Sequence, residues 1–145
     1  MRTYLAGAAS TVFATPSRAV LEEPFGPGLG VTAQAHALGR RIIHVTELAE
    51  RDKRIHEVHP EVSFRAMNEG RPLAHRKKSA GGALQRVALL HRHGIELDGL
   101  TEAGRAPLDD VLDAAAAAWT GDRIARDVAE PIPVRPGTRL GAVWY

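Results

Sequence analysis

Apolar residues recur at three- and four-residue spacing from Ala35 through Leu38, Ile42 and Val45 to Ala49, with Arg40, Arg41, Glu47 and Arg51 set off that stripe. This spacing predicts one long amphipathic helix with a single face in a core. Thr32 supplies its N-cap, after a Pro/Gly-rich loop at 22–30. The period changes at 55–59, where Ile55, Glu57 and His59 alternate with His56 and Val58 ahead of Pro60. That alternation reads as a short strand with Glu57 near its C-terminal end. Pro60 then opens a short helix through Phe64 and Met67, closed by Gly70. Ser79 caps a further helix carrying Leu84, Val87, Ala88 and His91, which Gly94 terminates. Behind Pro107, Leu108, Leu112, Ala115 and Trp119 keep helical spacing and predict a helix from 108 to about 127. The tail holds three prolines and a Pro-Gly turn, so it should cross the surface and end in a short extended piece.

Alternating strand and helix signals indicate an α/β class. Only the strand at 55–59 is convincing, with weaker ones at 10–13 and 140–144. Several amphipathic helices need a platform, and so small a sheet offers little of one. The expected architecture is therefore part of a larger α/β unit: an incomplete sheet flanked by amphipathic helices. A chain of 145 residues accommodates one domain with a real core, and a single domain over 1–145 is expected.

Composition narrows the function classes. Hydrophobic residues at 44% and charged residues at 25% are globular proportions. Nineteen Lys and Arg against seventeen Asp and Glu leave a net charge of +2, so the estimated pI of 9.4 reflects a near-balance and by itself implies no nucleic-acid partner. Without cysteine there is no disulfide framework, thiolate nucleophile or Cys-based zinc site. Gly7, Ser10 and Thr11 interrupt the apolar N-terminal run, against an export signal. No apolar stretch approaches the roughly 20 residues of a spanning helix. A soluble cytoplasmic protein without a membrane partner is the expectation.

The segment "LDDVLDAAAAAW" raises the question of chemistry. Asp109 and Asp110 suit the first turn of a helix, where carboxylates meet the positive end of the dipole. Asp113 lies three residues from Asp110 and four from Asp109, so all three carboxylates can project from one side of the helix. Lys77 and Lys78, ahead of the Ser79 cap, can meet a phosphate with side-chain charge and free backbone N–H groups, or can form a solvated basic loop. Arg71, Arg76 and Arg86 extend that positive surface, although Arg86 can equally solvate its helix. "SAGG" lacks the glycine spacing of a nucleotide-binding loop, which excludes ATP on this basis. "HEVH" places His56 and His59 three apart rather than four, and on a strand they face opposite sides, which argues against a zinc hydrolase. His91 and His93 fit the C-terminal end of a helix dipole and need no catalytic role.

"HEVHPEVSF", "KKSAGGALQRVALL" and "DDVLDAAAAAWTGDRIA", in this order, resemble the second half of the predicted ribonuclease H-like nucleases of domain-of-unknown-function family 429. "LAGAASTVFATPSRAVL" and "GLGVTAQAHAL" resemble the middle section, so the likeness spans nearly the whole chain. It implies a ribonuclease H-like fold and hydrolysis of nucleic-acid phosphodiesters with Mg²⁺ or Mn²⁺. Glu57 matches the central-strand acid, and Asp110 and Asp113 match the final-helix pair, with Asp109 as a substitute. Hard carboxylate oxygens suit these cations, and two metals roughly 4 Å apart would stabilise the attacking and leaving oxygens. The first-strand aspartate of the family has no counterpart here. The resemblance therefore implies a domain lacking its N-terminal strands and leaves activity in this form open, and a third reading is a structural half whose sheet its own copy or another chain completes. The alternative is a noncatalytic nucleic-acid or protein interaction module, in which Lys77 and Lys78 bind and the acids are relics.

Overall fold

Local capping sets most of the helix limits in the computed structural model, which describes residues 17–133 and 142–145. The chain divides into two units. In the unit holding residues 17–56, α1 (Arg18–Glu22) starts at Ser17, and α2 (Ala33–Ala37) starts at Thr32, whose Oγ1 accepts from Ala35 N at 3.1 Å. The long helix expected from Thr32 pauses at Leu38 and resumes as α3 (Gly39–Arg51). The interruption coincides with Gly39, a weak helix former. Gly39 is buried against α1, where a Cβ would stand 2.9 Å from Leu21 Cδ2. At the end of α3, the Arg54 guanidinium and N–H bond the Asp52 carboxylate and hold its pKa below the ordinary value. Ile55 N donates to Asp52 O in the same turn.

The other unit, residues 57–133 and 142–145, carries the principal core. β1 is only Glu57–Val58, because Pro60 has no N–H to donate and begins α4 (Pro60–Met67). Gly70, at φ 76°, closes α4 by donating to Arg65 O at 2.9 Å. α5 (Ala80–Arg92) begins where Ser79 Oγ accepts from Gly82 N at 3.1 Å, and Gly94 at φ 79° follows its end. A 3₁₀ turn (Leu100–Ala103) leads to α6 (Leu108–Ala125), slightly shorter than expected because the chain turns at Asp127 with φ 57°.

Phe64 and Met67 of α4, Leu89 and Leu90 of α5, and Leu112, Ala116 and Trp119 of α6 form one buried cluster. The alanines of α6 allow close approach to α4, where Ser63 Oγ lies 2.8 Å from Thr120 Oγ1, and Thr120 in turn donates to Ala116 O. The apolar stripe expected on α5 is rotated. Leu84 is 69% exposed and Ala88 and His91 face solvent, whereas Gly82, Arg86, Leu89 and Leu90 are buried.

Among the described residues the sheet has three strands in the order β1-β3-β2, giving a mixed α/β architecture with a small open sheet. β3 (Ala142–Trp144) pairs in parallel with β1, Glu57 opposite Val143. β2 (Pro131–Pro133) pairs antiparallel with β3, Ile132 opposite Val143. Glu130 and Tyr145 exchange both backbone bonds, so two residues on Ile132 keeps the same orientation toward β3. Pro131 and Pro133 then point their nitrogens outward, as an edge strand permits. β3 falls within the strand expected at 140–144. The weak strand at 10–13 lies outside the described residues.

Candidate functional site

The loop from Arg71 to Ser79 is pinned at several points before it reaches α5. Asn68 Nδ2 donates to Arg71 O at 3.0 Å, and Gln85 Oε1 accepts from Ala74 N at 3.1 Å. Ser79 bonds Arg76 O through both its N–H and its hydroxyl, at 3.0 and 2.8 Å. Gly82 provides the notch in which this carbonyl sits, since a Cβ there would lie 2.0 Å from Arg76 O. The consequence is a fixed exit for two consecutive lysines.

Each of those lysines meets a carboxylate of α6. Lys77 Nζ donates to Asp113 Oδ2 in a partly buried ion pair. Lys78 Nζ lies 4.0 Å from Asp109 Oδ2, with its side chain 86% exposed. Asp109 and Asp113 stand one turn apart on the same face of α6. Asp110 is exposed and has no ion pair among the described residues. Glu57 is exposed on β1. Asp113 Oδ1, by contrast, is buried without a hydrogen-bond partner.

A family model matches residues 1–138, described as a protein of unknown function (DUF429). The chain belongs to the DUF429 family. No curated protein and no solved structure matches it.

Carboxylate oxygens in this DUF429 chain have the right hardness for Mg²⁺ or Mn²⁺. Among the described residues no three His, Asp or Glu side chains are grouped to hold a metal ion, and Glu57, Asp110 and Asp113 are all described. The ammonium of Lys77 pairs with Asp113, so a metal ion at that carboxylate would have to displace it.

Sequence reasoning reached Lys77, Lys78 and Asp113 but missed their pairing, and it gave no sign that Asp109 approaches Lys78. It also left Arg86 open as a surface cation. Arg86 is 2% exposed and forms a forked pair with Glu61, Nε to Oε1 at 3.1 Å and Nη2 to Oε2 at 2.6 Å. Its Nη1 donates to Gly82 O at 2.9 Å, so the DUF429 chain buries a guanidinium beneath the lysine loop. The available signal was its position one turn before Leu90 and four residues after Gly82, on the same face of α5.

Proposed function

We propose that this chain binds nucleic-acid phosphates noncatalytically through Lys77 and Lys78. The observation that carries this reading is the disposition of α6: Asp113 pairs with Lys77 and Asp109 faces Lys78. The acids act as counterions that position the lysines, and a phosphate oxygen competes for the same ammonium groups. Lys78 is the more accessible partner, because its pair is long and exposed. The exposed side chain of Arg76 in the same loop adds to the attraction.

A second reading is favoured by the buried, unpartnered Asp113 Oδ1. It is the ribonuclease H-like nuclease, with Glu57, Asp110 and Asp113 as metal-site positions and Mg²⁺ or Mn²⁺ as cofactor. The parallel β1–β3 pair and the helices of the mixed α/β unit support its fold component. Both readings place the protein in the cytoplasm with nucleic acid. No helix among the described residues is long and apolar enough to cross a membrane.

Fluorescence anisotropy with short single-stranded and duplex DNA and RNA separates the two. Phosphate binding through two lysines predicts affinity that is unchanged by EDTA and falls with salt at a logarithmic slope of about −1.4 on single strands. The double variant Lys77→Ala, Lys78→Ala should lose binding. Asp113→Asn, which frees Lys77, should bind at least as tightly as the wild type. Mn²⁺-dependent cleavage abolished by Asp113→Asn would establish the nuclease reading instead, and absence of binding at low salt would refute the lysine reading.

A further inference from the structure

The unit at residues 17–56 contains a cavity of about 850 Å³ between α1 and α3, toward the larger end of small-molecule sites. Its charges are unevenly satisfied. Arg18 donates to Glu22 at 2.9 Å and to Glu47 at 3.1 Å, so one guanidinium holds two of the lining carboxylates. Glu23 turns its carbonyl to His36 Nε2, at 2.6 Å. Arg40 and Arg41 also line the cavity, and neither has an ion pair among the described residues. Consecutive helical positions diverge by about 100°, so two long side chains reaching one cavity bracket it from two directions. Leu21 and Ile43 supply an apolar wall beside them.

We propose that this cavity binds a small organic phosphate, with Arg40 and Arg41 taking the phosphate and Leu21 and Ile43 contacting the organic part. Guanidinium groups present planar forks of N–H donors that match phosphate oxygens, and they stay charged at any working pH. Glu22 and Glu47 are held by Arg18, which reduces their repulsion of an incoming anion, and leaves Glu23 as the lining carboxylate that Arg40 and Arg41 must outweigh. An organic portion is required because the apolar wall gives a bare phosphate nothing to bury. The site uses no residue of the lysine loop and stands or falls independently of it.

Isothermal titration of the full chain with adenosine monophosphate, adenosine and inorganic phosphate tests the assignment. Saturable binding of the monophosphate is expected, with adenosine and inorganic phosphate each weaker by about tenfold or more, in line with a charge-assisted contact. Arg40→Gln and Arg41→Gln should each weaken the monophosphate by about tenfold, and Arg41→Lys by less. Both positions are exposed, and an unchanged circular dichroism spectrum checks that the variants remain folded. The variant Lys77→Ala, Lys78→Ala should bind like the wild type. The proposal is overturned if no saturable binding occurs, if inorganic phosphate binds as well as the monophosphate, or if the double glutamine variant retains full affinity.

Discussion

Arg86→Leu should destabilise the protein by about 3–5 kcal/mol, the usual consequence of removing one partner from a buried ion pair. The guanidinium and the Glu61 carboxylate share two hydrogen bonds in a site almost closed to water, and Arg86 also bonds Gly82 O. Leucine leaves the Glu61 carboxylate with its desolvation cost and without its cation. It also removes the stacking of the guanidinium over Phe64, 5.4 Å from the ring centroid. Urea denaturation followed by circular dichroism measures the loss. The double variant Glu61→Leu, Arg86→Leu should recover much of it, because neither charge is then buried. A single-variant loss below about 1 kcal/mol, the scale of an exposed pair, would contradict this account.

Gly82→Ala should cost about 2–3 kcal/mol, at the upper end of ordinary overpacking. The added methyl would stand 2.0 Å from Arg76 O and 2.8 Å from its carbonyl carbon, and both are backbone atoms. Alanine's better helix propensity, worth up to about 1 kcal/mol, does not offset a displaced loop. Gly81→Ala is the internal control. The three atoms nearest its methyl all belong to the His75 ring, at 3.1–3.3 Å, and that exposed side chain can turn aside. Thermal unfolding should therefore separate the two neighbours clearly, and equal melting temperatures would show that the notch is not required. Moving Arg76 also moves Lys77, so Gly82→Ala should weaken nucleic-acid binding in the proposed lysine site while Gly81→Ala leaves it intact.

Legibility of this fold follows the range of the interactions involved. Thr32, Ser79, Pro60, Gly70 and Gly94 act within a few residues of themselves, and the helix limits they set were readable from the chain. The burial of Arg86 depends on Glu61, 25 residues away, and although its spacing from Gly82 and Leu90 puts it on their face, nothing local reveals the carboxylate that makes its burial tolerable. Leu84 looked like core by spacing, but the actual buried stripe of α5 was fixed by packing against α4 and α6. β2 was hidden by Pro131 and Pro133, which argue against a strand unless the register turns both outward at an edge. At the candidate site, helical spacing brought Asp109, Asp110 and Asp113 to one side of α6. Which of them meets a cation was decided by the anchoring of the 71–79 loop, and that gave the role to Asp109 and Asp113.

The outward prolines of β2 also bear on how this molecule behaves at high concentration. An unpaired sheet rim normally recruits a further strand through its free amide hydrogens, and this is a common start to aggregation. At Pro131 and Pro133 the outer rim of the sheet formed by the described residues has carbonyls but no amide hydrogens, so an incoming chain finds half of its ladder missing. The same residues that obscure the strand in the primary structure guard it against illegitimate pairing.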